Sequence, residues 1–395
     1  MPSFPLPPQV ELARGVPFAR EQARFPHYGR YLEDFVPGQV FVHPRGLTLN
    51  LGLVRAFAST FHQANPMYLN EPFAQAHGYR TTPASPQLVF NVTLSLGVQN
   101  DSEKAVANLG YYHASFLRPV YPGDTLRALT KVMDRQDKGP SASLGAGGGK
   151  PGIARLRTLS LNQHDQVVLQ YERKILVAPR GARPETVPAR GGDVPFPWVE
   201  APGLALPELP AAWPTGLTGG GSWLDAFTPG DVIVHANGRT ITDEHVPWTY
   251  AVGNTHPLHT DRVYSTGLSG AMSGEPIVYG GLVFAWLEGL GSRDVSENAL
   301  ADLGFTEGYH TQPTVAGDTV AALHRVLAVE PLRALKAGLV TLQLVGVKNV
   351  SAAEALDRFG DDLFVKETDK KDLGKEKLPA KIFEIERRLL VKQRP

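Results

Sequence analysis

The stretch Trp223-Leu224-Asp225-Ala226-Phe227-Thr228-Pro229-Gly230-Asp231-Val232 restates the aromatic, Leu, acid, Phe, Pro-Gly and Val order of Tyr31-Leu32-Glu33-Asp34-Phe35-Val36-Pro37-Gly38-Gln39-Val40. A second pair of motifs keeps step with it. Leu109-Gly110 through Pro119, followed by Gly123-Asp124-Thr125-Leu126, returns as Leu303-Gly304 through Pro313, followed by Gly317-Asp318-Thr319-Val320. The span from Gly38 to Gly123 and the span from Gly230 to Gly317 differ by two residues. Motifs held at that spacing mark a duplication, and the duplication decides the architecture.

Outward from these motifs, each copy carries the same elements. A β-rich opening (Gly38 to Leu49; Gly230 to Ile241) leads into a helical segment, with Thr242 placed as an N-cap before Asp243 and Glu244. An apolar helix follows, Pro86 to Gly97 in one copy and Gly281 to Leu290 in the other. Long strands with two-residue alternation come next: Ala154 to Leu161, Val167 to Val177, Leu339 to Val347, and a last one carrying Phe383, Ile385, Leu389 and Val391. A helix apolar all round needs burial all round. A curved antiparallel sheet wrapped around it meets that need. The expected fold is therefore α+β, a double hotdog of two tandem units. Its expected parts are an N-terminal extension (1–30), a first unit (31–178), a Pro/Gly-rich linker (179–222) and a second unit (223–395). Mobile insertions are expected at Gln136 to Gly152 and at the charged stretch Val365 to Lys377.

Composition narrows the function classes. With 39 basic and 39 acidic residues, no long-range field favours nucleic acid or an anionic membrane. Zero cysteines exclude disulfides, thiolate metal sites and cysteine nucleophiles. The start Met1-Pro2-Ser3-Phe4-Pro5 lacks the regions of a signal peptide, and the longest apolar run, Pro276 to Leu287, is too short to span a bilayer. A cytoplasmic protein without membrane or nucleic-acid partners is expected. The run Gly145-Ala146-Gly147-Gly148-Gly149-Lys150 lacks phosphate-loop spacing and is followed by Pro151, so it reads as a loop.

The chemistry concentrates in Gly253-Asn254-Thr255-His256-Pro257-Leu258-His259-Thr260-Asp261 and in Tyr279-Gly280-Gly281 at the head of the second apolar helix. His259 is the group able to exchange a proton near neutral pH, and Asn254 can donate and accept hydrogen bonds without titrating. Backbone N–H groups at Gly280 and Gly281 suit a thioester oxygen, because glycine permits close approach and a helix N-terminus favours negative charge. A water held between these groups is equipment for hydrating or dehydrating a coenzyme A ester. His256 and His259 lack a third ligand at suitable spacing, so no metal is expected, and Asp261 reads as a helix cap. Tyr111, Tyr112 and His113 are candidates to line an acyl tunnel. Arg118, Arg262 and Lys348 are unranked candidates for the coenzyme A phosphates.

At these residues the chain resembles the MaoC-like (R)-specific enoyl-CoA hydratases, and within them the mesaconyl-CoA hydratase (β-methylmalyl-CoA dehydratase, 2-methylfumaryl-CoA hydratase) group. The resemblance runs from about Tyr31 to Val391. It is carried by Val106-Ala107-Asn108-Leu109-Gly110-Tyr111 and Phe116 to Leu126 in the first half, and by Asn254-Thr255 with His259, Tyr279-Gly280-Gly281 and Ala316 to Val320 in the second. The wider family's motif is Gly-Asp-x-Asn-Pro-x-His, its Asp and His flanking the attacking water. Here Asn254 stands at the Asp position and His259 at the His position, while Asn254-Thr255 matches the mesaconyl-type Asn-Thr-x-x-x-His form. In the first half the matching positions are Gln63 and Tyr68, which implies one working site per chain. The resemblance also implies an acyl-CoA substrate, no separate cofactor and a homodimer.

Two other readings compete. A hotdog thioesterase would place an acid on or near the central helix, where Glu288 is the candidate. A non-catalytic acyl-CoA-binding protein would bind without turnover.

Overall fold

The computed structural model describes residues 17, 20–24, 27–137, 150–181, 194–214, 216–219, 221–268 and 272–395. In chain order these form β1 (Val40–Thr48), α1 (Leu51–Thr60), α2 (Glu71–Ala76), α3 (Pro86–Gly97), β2 (Ala105–Phe116), β3 (Thr125–Gln136), β4 (Gly152–Leu161) and β5 (Val167–Val177). The second half gives β6 (Val232–Thr240), α4 (His245–Ala251), α5 (Arg262–Thr266), α6 (Gly280–Val295), β7 (Ala299–His310), β8 (Thr319–Leu332), β9 (Ala337–Lys348), α7 (Ala352–Phe359) and β10 (Lys381–Lys392).

All ten strands lie in one sheet, ordered β1-β3-β4-β5-β2-β7-β10-β9-β8-β6. Read outward from the centre, both halves follow the same path, as a duplication requires. The halves join where β2 pairs antiparallel with β7, in the register Tyr111↔Gly308 and Ala114↔Phe305. α3 and α6 are buried along nearly their whole lengths. They touch each other, with Asn91 Nδ2 donating to the Gly281 carbonyl at 3.0 Å. One apolar core runs across the join through Phe90, Tyr171, Phe284, Trp286 and Phe305. This is the double hotdog that the all-round apolar helices demand.

Several expectations need correction. Thr242 does not cap α4. The helix starts three residues later at His245, with Glu244 at its N-cap position, and the Thr242 hydroxyl accepts only a long 3.5 Å bond from Glu244 N. α6 continues past Leu290 to Val295 because its glycines are packing positions rather than breaks. A Cβ on Gly289 would lie 1.6 Å from the Phe61 carbonyl oxygen. The charged stretch from Val365 is anchored over its first half, where Lys370 and Glu367 are buried and paired at 2.7 Å and Glu367 N donates to Glu384, while residues 371–377 are exposed. In the linker, Phe196 and Trp198 pack near Leu159 and Leu161, while Trp213 Nε1 donates to the Lys336 carbonyl at 2.8 Å. The glycine run, most of the Gln136 to Gly152 insertion, and much of 1–30 and of the linker lie outside the described residues. No helix among the described residues is long and apolar enough to cross a membrane.

Candidate active site

The positioning starts with a short turn. Asn254 Oδ1 accepts from His256 N at 2.9 Å, and His256 Nδ1 in turn accepts from Leu258 N at 3.1 Å. Pro257–His259 then forms a single 3-10 turn, and Asp261 caps α5 by accepting from Tyr264 N at 3.0 Å, as its position predicts. This chain of local bonds carries His259 toward α6. Its Nδ1 lies 2.8 Å from the Ile277 carbonyl, which can only accept, so the proton sits on Nδ1. Nε2 is then an unprotonated lone pair with no protein partner among the described residues.

His259 and Gly280 line one cavity of about 240 Å³, together with Asn254, Tyr279 and residues of the first half. Its ring is centred 5.4 Å from that of Tyr279. Burial pushes the His259 imidazole down to about 4, aided by repulsion from His245 and opposed by the Ile277 bond. Burial likewise holds His256 at about 3 and His310 at about 4, with mutual repulsion from His259 adding to both. Near neutral pH the site therefore holds neutral imidazoles. His256 Nδ1 and His259 Nδ1 are both engaged by backbone, and no group of three His, Asp or Glu side chains is gathered as ligands among the described residues.

The head of α6 is open. Tyr279, at the N-cap position, makes no side-chain cap, and the N–H groups of Gly280 and Gly281 meet no acceptor among the described residues. The two glycines differ in why they are glycine. A Cβ on Gly280 would lie 2.6 Å from the His310 ring, on the cavity side. A Cβ on Gly281 would lie 2.2 Å from Asn91 Oδ1, and Gly281 is absent from the cavity wall. Glycine at 281 is required by the approach of α3, whatever its N–H does.

Of the other residues on that wall, Asn108, Arg173 and His310 carried no individual role in the sequence reading. Asn108, Tyr111 and Arg173 come from the first half and His310 from the end of β7. Tyr111, an expected tunnel residue, is there, with its hydroxyl 3.4 Å from His310 Nε2, whereas Tyr112 and His113 are not on the wall. A signal for Arg173 existed. It alternates with Leu169, Tyr171 and Ile175 on the buried side of β5, where a guanidinium needs a reason. Of the phosphate candidates, Lys348 is held by the Pro313 carbonyl at 2.7 Å and Asp318 at 3.0 Å. Arg262 pairs with Glu275 at 2.6 Å, and Arg118 lies at a different, first-half pocket. Glu288 also turns away from the cavity, to Arg387 at 3.2 Å.

Comparison with known proteins adds independent information. A family profile described as mesaconyl-CoA hydratase matches residues 17–352. The chain is 34% identical over 309 residues to a β-methylmalyl-CoA dehydratase of Chloroflexus aurantiacus, covering 76% of this chain and 82% of that protein. It is 30% identical over 333 residues to a mesaconyl-CoA hydratase of Cereibacter sphaeroides, covering 81% and 90%. Among solved structures, a MaoC domain protein of C. aurantiacus described as a dehydratase superposes with a TM-score of 0.72 at 27% identity, covering 93% of this chain and 98% of that one. A Mycobacterium tuberculosis protein described as a double hotdog superposes with a TM-score of 0.67 at 22% identity, covering 92% and 98%, which bears on fold alone.

Proposed function

This chain belongs to the mesaconyl-CoA hydratase family, and on that premise we propose that it catalyses the reversible hydration of a short enoyl-CoA of the mesaconyl-CoA (2-methylfumaryl-CoA) type, giving a β-methylmalyl-CoA type of product. One observation carries the reading: an imidazole whose tautomer is fixed by the Ile277 carbonyl shares its cavity with an uncapped helix terminus.

In hydration, the oxygen of water bonds to the β-carbon while His259 Nε2 takes the water's proton. The displaced π electrons move onto the thioester oxygen as an enolate. The first-turn N–H of Gly280, on the cavity wall, supplies a donor for that charge, and the partial positive end of α6 adds to it. The proton then returns from Nε2 to the α-carbon. Burial disfavours the intermediate imidazolium, so the proton is given up readily. Asn254 has its Oδ1 engaged by His256 N, which leaves its NH2 to orient the water. Coenzyme A enters as part of the substrate, and the mechanism uses no separate cofactor.

The thioesterase alternative loses its acid, because Glu288 is tied to Arg387 outside the cavity. The reading includes a cytoplasmic location, which the lack of cysteine suits, and a homodimer, which the family resemblance supports; sedimentation of the purified protein checks the latter. The test of function is loss of enoyl-thioester absorbance on adding mesaconyl-CoA. Absence of turnover together with tight acyl-CoA binding would favour a binding protein instead.

A further inference from the structure

The duplication provides an internal reference for the cavity wall. The pairing of β5 with β2 sets Arg173 opposite Tyr111, and the pairing of β10 with β7 sets Arg387 opposite Phe305, so the two arginines are counterparts. Arg387 is matched by two carboxylates, Asp302 at 2.7 Å and Glu288 at 3.2 Å. Arg173 has one, Asp101 at 2.7 Å, with the Ser102 hydroxyl at 3.3 Å. The counterpart of Asp302 on β2 is Asn108, and that of Glu288 on α3 is Leu94. The carboxylates that complete the arginine site in one half are replaced by a neutral amide and an alkyl chain in the other.

Other protein groups repair the replacement only in part, the Tyr111 hydroxyl being the neutral group that stands beside the Asn108 amide. Among the described residues, neither buried amide atom of Asn108 has a hydrogen-bond partner of good geometry, and nor has Arg173 Nε. Arg387 also leaves Nε and Nη1 unpartnered, but its charge is doubly matched. A buried amide without a well-formed hydrogen bond is a deficit that a ligand can remove. Asn108, Arg173 and Leu94 all line the cavity that holds His259 and Gly280.

We propose that Arg173 and Asn108 form a carboxylate subsite, which selects acyl-CoA esters bearing a carboxylate on the β-carbon over those bearing a methyl group there. The substrate carboxylate occupies the place that Asp302 fills in the other half, accepting from Asn108 Nδ2 and the guanidinium. The inference deepens the proposed hydration and rests on it for the reaction, but the subsite is a statement about binding. Neutralising that carboxylate also eases attack by a water lone pair on the carbon that carries it.

The test compares succinyl-CoA with butyryl-CoA, two saturated esters that differ in the terminal carboxylate, by calorimetric titration of the full chain. The wild-type protein is expected to bind succinyl-CoA roughly tenfold to a hundredfold more tightly, the range of a charge-assisted hydrogen bond or two. Asn108→Asp supplies the missing carboxylate from the protein. It should bring the affinity ratio to about one or below while the melting temperature holds or rises. Equal wild-type affinities for the two esters overturn the proposal without any variant, and so does a ratio that Asn108→Asp leaves unchanged. Failure of mesaconyl-CoA to lose absorbance would remove the proposed reaction, yet the ester comparison would still decide the subsite.

Discussion

The two ends of the duplicated core can be compared position by position. At the His259 end the helix opens on Tyr279-Gly280-Gly281, without a side-chain cap and with the Gly280 and Gly281 N–H groups meeting no acceptor among the described residues. At the other end α3 opens on Ser85-Pro86, where the serine hydroxyl accepts from Leu88 N at 3.4 Å and the proline has no N–H to offer. Tyr68 stands where His259 stands, and Gln63, whose Nε2 reaches Glu288 at 3.4 Å, stands where Asn254 stands. Phe116 replaces His310. The turn itself survives, with Gln63 Oε1 accepting from Asn65 N at 3.0 Å just as Asn254 accepts from His256 N. The pocket beside Tyr68 shrinks to about 40 Å³. The same backbone therefore hosts two outcomes: a polar cavity with unmatched donors, and a packed ion cluster with its helix end closed. Duplication lets one copy carry structure while the other keeps its polar groups unsatisfied.

The largest expected break in this contrast is His259→Ala, which should lower kcat by about 10²–10⁴-fold with mesaconyl-CoA, the range of a general acid–base group. Tyr68→Phe at the matching position should leave turnover unchanged, and equal effects of the two would abolish the asymmetry. Next comes Gly280→Pro, which imports the closed terminus of α3. It removes one N–H and crowds His310, and should lower kcat by about 10²–10³-fold. Stopped-flow or steady-state absorbance on a variant shown by circular dichroism to be folded would measure it. Asn254→Ala should cost about tenfold in kcat, the worth of one orienting hydrogen bond.

Glu288→Ala sharpens the comparison from the other side. It strips one carboxylate from the buried Arg387 and should destabilise the fold by about 3 kcal/mol in urea denaturation while the folded fraction still turns over. The gentlest probe is pH. His259 should act as a base until pH falls toward about 4, so the acid limb of kcat/KM should lie well below the ordinary histidine value of 6.5. Stability moves in the same sense. His43, His259 and His310 are each held near 4 by burial, so between about 6.5 and 4 the unfolded chain binds protons that the folded chain refuses. Unfolding free energy should therefore fall as pH drops through that window, measurable by chemical denaturation at several pH values.

Much of this was legible in the residues. The repeated Pro-Gly and Gly-Asp-Thr motifs fixed the order of elements, and the bounds of α3 and β5 follow from their apolar patterns and flanking residues. Asn254, His259 and Gly280 could be picked out because they cluster near one turn and one helix start. Gly281 could be named but not explained, since its constraint is Asn91 on a helix nearly two hundred residues earlier. Arg173, Asn108 and His310 were harder. They reach the cavity only because β2 and β7 pair, and pairing register is a long-range property that local pattern does not encode. The anchoring of Val365 to Lys370 was hidden for a related reason. Its charges look solvated in sequence, and Lys370 becomes tolerable inside only when Glu367 is placed beside it.

The sequence by itself determined that the chain is duplicated, that each half wraps a sheet around an apolar helix, and that His259, the imidazole proposed to exchange a proton, has no histidine counterpart in the first half. Those features are local or periodic, so they survive without coordinates. Only the tertiary structure decided that the cavity draws on both halves, that Glu288 faces Arg387, and that Arg173 stands one carboxylate short of its twin. Burial and charge balance are properties of surroundings, and those surroundings exist only once strands distant in sequence have paired.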